Sequence, residues 1–426
     1  MTDCRQPILD LLPGYHYPDR EFAGRIVDQK LVNYDESRVP QFTLPSPLRR
    51  EDGSMVDTAF DWANGQRQRI LEMLAREMYG KILPRPDSTS SEILAQKDDA
   101  LDGTAIRKEI RLHFGMHDGR SYHFDMLLYI PKNAPRPVPA FVGLNFKGNH
   151  NCTDEQIMPT GLKASPQPQL TAEEKEMQIG RWHFREAVKR GYACATACYQ
   201  DIFPDRADGW DQSALTLFED NLSGFSGAHE KYTAIGVWAW GLSRMLDYLE
   251  TEPLVDSSRT AVHGHSRLGK TALWAGACDR RFRLVISNDS GCGGAALARR
   301  WFGELYIVMH NVFPHWLVKG FAKYHAQVEK LPFDQHFLLS LIAPRPLAVA
   351  SASEDLWADP RGEFLSALNT REVYRLFGSQ GLPDDNFPEP DGKITGDVSY
   401  HLRRGPHQQN AFDWEHYLEI ADKVLR

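Results

Sequence analysis

Residues 260–277 constrain the fold more than any other stretch, because a β-compatible run, a turn flanked by two glycines and a run of small helix-forming residues follow without a break. Thr260-Ala261-Val262-His263 leads into Gly264-His265-Ser266-Arg267-Leu268-Gly269-Lys270, and Thr271-Ala272-Leu273-Trp274-Ala275-Gly276-Ala277 comes after it. This order predicts a strand that turns sharply into a helix, with Ser266 exposed at the strand's carboxyl end, where a hydrolase keeps its nucleophile. The widespread form of such an elbow is G-x-S-x-G. Here the second glycine comes one position later and position 267 is an arginine. Arg267 and Lys270 would both stand in the first helical turn, where the helix dipole disfavours a cation by about 0.3–1 kcal/mol. A negative charge developing beside Ser266, such as the oxyanion of acyl transfer, would offset that cost. A surface Gly-Ser turn between solvated bases fits the heptapeptide equally well, so the rest of the chain has to decide.

The 426 residues could hold two or three average domains, but large α/β folds often run past about 250 residues as one unit. Hydrophobic residues make up 42% and charged residues 25%, as in soluble globular proteins, and the net charge of -8 offers nothing to a polyanion. With no basic run and no RNA-type aromatic motif, nucleic acid is not an expected partner. No apolar stretch reaches the roughly 18 residues that a membrane span needs. The first thirty residues mix acids, bases and prolines and lack the apolar core of a secretory signal. The six cysteines, Cys4, Cys152, Cys194, Cys198, Cys278 and Cys292, include no C-x-x-C pair and read as buried thiols.

Residues 1–100 read as an irregular, helical leading region packed on the core, and 101–426 as the catalytic part of what is a single domain overall. In the first part 40–50 is proline-rich, and 61–79 sets Ile70, Met73, Leu74 and Met78 on one helical face. Strands are predicted at 104–113, 121–130, 140–145 and 192–199. The first two alternate as an antiparallel pair does, and the later ones are apolar throughout, as in a buried parallel sheet. A polar insertion, 151–176, separates the third and fourth. A helix is expected at 178–189, and Ile235, Trp238, Leu242, Met245 and Leu249 form the core stripe of another. After the elbow come strands at 284–287 and 347–351 and a last helix at 412–425. Strands alternating with helices imply a doubly wound, mostly parallel sheet with right-handed crossovers, which binds ligands at the strands' carboxyl ends.

A serine hydroxyl is a useful nucleophile only beside a base that an acid orients. Both candidates end later strands. The 347–351 run enters the acid-rich loop Ala352-Ser353-Glu354-Asp355-Leu356-Trp357-Ala358-Asp359-Pro360, and His407 stands in Gly405-Pro406-His407-Gln408-Gln409 ahead of the last helix. The order serine, acid, histidine is that of the α/β-hydrolases. A rival acid, Asp289, ends the 284–287 strand ahead of Ser290-Gly291-Cys292-Gly293-Gly294. Either aspartate is also readable as a turn or loop-capping residue. His113, His117 and His123 read as surface or turn residues, and no H-E-x-x-H metal motif occurs. Asn151-Cys152-Thr153 and Asn221-Leu222-Ser223 fit the glycosylation pattern, which matters only in a secreted protein.

Together the heptapeptide, the Ser287-Asn288-Asp289-Ser290-Gly291-Cys292-Gly293-Gly294 run, Arg300-Trp301-Phe302-Gly303-Glu304, Glu354-Asp355-Leu356-Trp357 and Gly405-Pro406-His407 resemble the glucuronoyl esterases of carbohydrate esterase family 15, especially the bacterial branch. The resemblance runs from about Asn33 onward. It implies an α/β-hydrolase fold, a three-layer αβα sandwich around a mostly parallel sheet. It implies cleavage of the ester between 4-O-methyl-glucuronic acid on xylan and a lignin alcohol, with no metal or organic cofactor. Ser266 then matches the nucleophile and His407 the base. Arg267 matches the oxyanion donor, through side chain and backbone N–H, and Lys270, Glu304 and Trp357 match residues that hold the uronate hydroxyls. For the acid, some members use the position of Asp289, usually as glutamate, and others that of Asp355. Aspartate is one methylene shorter, which favours Asp355. The cysteine pair that flanks serine and histidine in the fungal branch is replaced by His265 and Gln408, so no disulfide braces this site. By the same resemblance the expected protein is a secreted or periplasmic monomer acting on glucuronoxylan or lignin-carbohydrate esters, while the missing signal reads either as a protein that stays inside the cell or as one whose signal was trimmed. Two rival readings are an acetyl-xylan or general carboxylesterase and a non-catalytic carbohydrate-binding pseudoenzyme. Bland readings of Lys270 with Glu304, as a surface ion pair, and of Trp357, as a core residue, stand beside the functional ones.

Overall fold

Among the described residues ten strands form one sheet: β1 Ser88–Asp99, β2 Ala105–Gly115, β3 Ser121–Pro131, β4 Val138–Asn145, β5 Ala193–Cys198, β6 Val255–His265, β7 Leu284–Asn288, β8 Leu347–Ala352, β9 Gly392–Ile394 and β10 Val398–Arg403. The computed structural model describes residues 4–161, 170–220, 222 and 227–426. Across the sheet the order is β1-β2-β3-β5-β4-β6-β7-β8-β10-β9. The six strands from β5 to β10 in that order run parallel, and antiparallel strands flank them on both sides.

Strands β4, β5, β7 and β8 are buried along their whole length, as expected where helices cover both faces. Alternate side chains go to different cores. Val262, Val285, Leu347 and Val349 pack with Trp238, Leu242 and Leu273, whereas Ala261, Leu284, Ile286, Ala348 and Ala350 pack with Phe184, Val188, Trp414 and Leu418. The result is the mostly parallel sheet, covered on both faces, that the alternation of strands and helices implied, and the three-layer α/β-hydrolase sandwich that the resemblance implied. The predicted stripe lies on helix Ala234–Leu249, with all five of its residues buried.

Several boundaries differ from expectation, each for a local reason. The 178–189 helix is two, Ala172–Gly180 and Phe184–Lys189, because the chain breaks to bury Trp182 between them. The first hundred residues also contribute β1, whose sequence STSSEILAQKDD is exposed or half-exposed throughout and carries no alternation. Its pairing with β2 alone makes it a strand. The expected 61–79 helix is a continuous helical run from Ala59 to Tyr79 that includes π turns at Trp62–Gln66 and Ala75–Tyr79. Within it, Arg67 donates to the carbonyls of Ala277 and Leu341 at 2.6 and 3.1 Å. The leading region thereby caps the end of the helix that follows Ser266.

The six cysteines are free thiols. Asn151 is buried and its amide donates to the Lys147 carbonyl, so that sequon is not presented at the surface. Asn221 and Ser223 of the other, and 162–169 of the polar insertion, lie outside the described residues. Among the described residues no helix is long and apolar enough to cross a membrane.

Candidate active site

Strand β6 ends at His265 and helix Arg267–Cys278 starts at once, so Ser266 makes the whole turn. It does so at φ 59° and ψ -130°, a left-handed conformation that costs a non-glycine residue on the order of 1–3 kcal/mol. Its N–H donates to the Asn288 carbonyl at the end of β7 (2.8 Å), and its own carbonyl accepts from Gly269 N–H (2.8 Å). Contact explains both glycines. A Cβ at 264 would lie 2.0 Å from the Leu268 carbonyl oxygen, and one at 269 would lie 3.0 Å from Ser290 Cβ and 3.1 Å from the Asn288 oxygen. The second glycine comes late because the helix's third residue rests on the β7 loop.

The histidine comes from the loop after β10. His407 Nδ1 lies 2.5 Å from Asp355 Oδ2, and its ring centroid is 4.5 Å from that of His265, the residue before Ser266. Asp355 is buried while the His407 side chain is 42% exposed, so the pair faces solvent through the histidine. The loop is held by Arg403, which donates to the carbonyls of Arg404, Pro406 and Gln408 at 2.9, 2.7 and 2.7 Å and to Asp413 at 3.1 Å.

Asp289 is close but paired differently. Its carboxylate is buried, accepts no hydrogen bond, and lies 3.6 Å from Arg403 and 3.9 Å from His265. Burial, then the charges of Asp355 and Glu363, push its carboxyl well above the usual range. Asp289, Asp355 and His407 each offer an atom within 4.8 Å of the others, the spacing of a loose metal site. The Arg403 guanidinium already supplies positive charge there, which disfavours a bound cation.

On the other side of Ser266, the Arg267 guanidinium bonds Asp205 and lies 4.6 Å from the Trp316 ring centroid and 5.1 Å from that of Phe313. Lys270 is buried, its Nζ 5.6 Å from the same indole. Glu304 donates its backbone N–H to the Trp357 carbonyl at 2.7 Å. A Cβ on the intervening Gly303, φ 63°, would meet the Leu356 and Trp357 carbonyl oxygens at 2.5 Å. Desolvation raises the Glu304 carboxyl and lowers the Lys270 ammonium, and each charge opposes the other's shift. Lys270 is thus buried and Glu304 half-buried beside it, which is not the setting of a surface ion pair.

Three residues of the site carry little or no sequence signal. Asp205 sits in an unpatterned Phe203-Pro204-Asp205 run, Arg403 is one arginine among many, and Glu363 is a helix acid. Glu363 accepts from Ser290 N–H and Oγ, Gly291 N–H and Ser351 Oγ at 2.6–3.0 Å, tying the Asp289 loop to the end of β8. Proximity to His407 in the chain was the one clue to Arg403.

A strand–serine–helix elbow on β6, with an aspartate after β8 and a histidine after β10, is the framework of an α/β-hydrolase. A family model described as "Glucuronyl esterase, fungi" matches residues 224–378. Carbohydrate esterase MZ0003, from an unknown prokaryotic organism, is 41% identical over 92% of this chain and 91% of its own, and the 4-O-methyl-glucuronoyl methylesterase of Schizophyllum commune is 26% identical over 79% and 74%. Among solved structures, a promiscuous CE15 esterase from a marine bacterial metagenome (40% identity, TM-score 0.82) and the glucuronoyl esterase of Solibacter usitatus (38%, TM-score 0.84) each cover 92% of this chain and 100% of their own. The chain belongs to carbohydrate esterase family 15, the glucuronoyl esterases, and is a carboxylic ester hydrolase.

Proposed function

We propose that this enzyme hydrolyses the ester joining (4-O-methyl-)glucuronic acid of glucuronoxylan to lignin alcohols, through an acyl-enzyme on Ser266. The observation that carries the reading is the 2.5 Å pairing of His407 Nδ1 with Asp355, on a ring packed beside His265. With Nδ1–H given to Asp355, Nε2 receives the Ser266 proton as Oγ attacks the uronoyl carbonyl. The tetrahedral oxyanion accepts from the Arg267 guanidinium and backbone N–H, a donor set whose loss typically costs about 2.7–4 kcal/mol of barrier. Collapse breaks the bond to the alcohol, which leaves with the proton from His407. Water, deprotonated by His407, then attacks the acyl carbonyl and releases glucuronic acid and free Ser266.

Lys270, Glu304 and Trp357 hold the ring hydroxyls. A plain acyl ester leaves those buried polar groups unpaired, which is the physical basis of selectivity for a uronate. Asp355 is the triad acid in this reading, since Asp289 accepts no hydrogen bond and faces Arg403. The substrate is a wall polymer outside any cell, which fits a secreted or periplasmic monomer that needs no cofactor. A broader esterase activity is the second reading, because one relative of 40% identity is described as promiscuous.

The test compares kcat/KM on benzyl glucuronate and 4-nitrophenyl acetate for the wild type, Asp355→Asn and Asp289→Asn. Preference for the glucuronate is expected, with a loss approaching about 10⁴-fold in kcat for Asp355→Asn and a small one for Asp289→Asn. Equal or better efficiency on the acetate would sink the uronate reading, and a larger loss in Asp289→Asn would reassign the acid.

A further inference from the structure

Arg267 stands where the helix dipole opposes a cation, and a carboxylate from a distant loop meets it there. Asp205 lies after β5, 62 residues earlier in the chain, with its side chain 6% exposed. Four donors converge on it. Oδ2 accepts from Arg267 Nη1 and from the Tyr199 hydroxyl (3.0 Å), and Oδ1 accepts from His315 Nε2 and Trp316 Nε1, both at 2.7 Å. Burial works to raise this carboxyl, but the His315 bond and the Arg267 charge outweigh it and hold it well below the usual carboxylate range. Against the guanidinium, the Trp316 and Phe313 rings stack on each other at 3.9 Å and 4°. Arg267 is therefore bonded at one edge and backed by an aromatic pair, while Asp205 has no acceptor capacity left idle on either oxygen.

An arginine free in solvent samples many rotamers, and ordering one during reaction costs conformational entropy. A donor already aimed where charge develops avoids that reorganisation in the transition state. We propose that Asp205 is a positioning residue that locks the Arg267 guanidinium as a preorganised oxyanion donor. The inference rests on the oxyanion role given to Arg267 above. Because the lock acts on transition-state charge, it raises kcat and leaves uronate binding alone.

The experiment measures kcat and KM on benzyl glucuronate, and glucuronate affinity by calorimetry, for Arg267→Met, Asp205→Asn, the double variant and Asp205→Glu. Arg267→Met should lower kcat about 10²–10³-fold. Asp205→Asn should lower kcat up to about 100-fold, with KM and glucuronate affinity little changed. In the Arg267→Met background the Asp205 change should cost nothing further, a coupling that a merely structural role would not produce. Asp205→Glu keeps the charge and should recover part of kcat, and it stands in for Asp205→Asn if the latter does not fold. Additive losses, a loss confined to KM, or a rise in kcat on removing Asp205 would each overturn the proposal. An unchanged kcat in Arg267→Met would instead remove the oxyanion reading itself, leaving any Asp205 effect to be that residue's own.

Discussion

Arg403 precedes His407 by four residues and bonds the carbonyls on both sides of it, so the histidine's place beside Asp355 depends on that guanidinium. A lysine there keeps the charge but has one nitrogen, and cannot bond Asp413 and the Arg404, Pro406 and Gln408 carbonyls together as the three guanidinium nitrogens do. Arg403→Lys is therefore expected to lower kcat by up to about 100-fold, the scale of a small misplacement of a catalytic group, with KM close to wild type. Steady-state kinetics on benzyl glucuronate checks this, and an unchanged kcat would show that the loop holds itself. Ser266 and His407 were legible as residues because glycine turns and strand-end loops mark them locally. Asp205 and Arg403 were not, because acids and arginines are common on surfaces and only their distant partners distinguish these two.

The elbow was the most legible element, and its glycines allow a graded test. A methyl at 264 would run into the Leu268 carbonyl at 2.0 Å, and backbone there cannot give way without moving the helix. A methyl at 269 would press on Ser290 Cβ at 3.0 Å, where a shift of a few tenths of an ångström suffices. Gly264→Ala should cost at least the upper end of the roughly 1–3 kcal/mol of overpacking and lose activity, whereas Gly269→Ala should cost about 1 kcal/mol and keep much of it. Thermal melts with kcat for both variants decide the order, and the reverse order would contradict this account of the late glycine. The buried strands were readable as short apolar runs, and the Ile235–Leu249 stripe because helical periodicity records a face. β1 was not, since both its faces meet solvent, and β10 was missed although it carries His407 to the site. Val398-Ser399-Tyr400-His401-Leu402-Arg403 alternates apolar and polar residues as a half-exposed strand would, yet all six are buried, His401 and Arg403 against Asp413.

Across the whole molecule, buried histidines set an acid limit. Desolvation pushes His263 and His325 down to about 3 and His229 to about 4, and it also holds His265 and His310 well below their usual value of 6.5. Between those values and 6.5 the unfolded chain binds more protons than the native one, so stability is full above about pH 6.5 and is lost as the pH falls. Buried acids act the other way. Glu363, raised by desolvation to about 7, and Asp359, raised likewise to about 6, favour the native state at low pH and lose that contribution as pH rises. The histidines outnumber them, so Tm should fall below about pH 6.5. His263 shows the effect most simply, as its ring lies among Trp182 and Trp414 at 5.1 and 5.0 Å with neither nitrogen bonded. His263→Phe should narrow the Tm difference between about pH 5 and about pH 8, measured by calorimetry, and an unaltered difference would exclude this histidine as a cause. What the sequence by itself determined was the local grammar: a strand–serine–helix turn, alternating strands and helices, a histidine loop at the end, and a resemblance carried by those segments. The tertiary structure alone decided which aspartate meets His407 and what restrains Arg267. Partners 52 and 62 residues apart lie within hydrogen-bond reach only once the sheet has brought its strand ends together, and no periodicity along the chain encodes that distance.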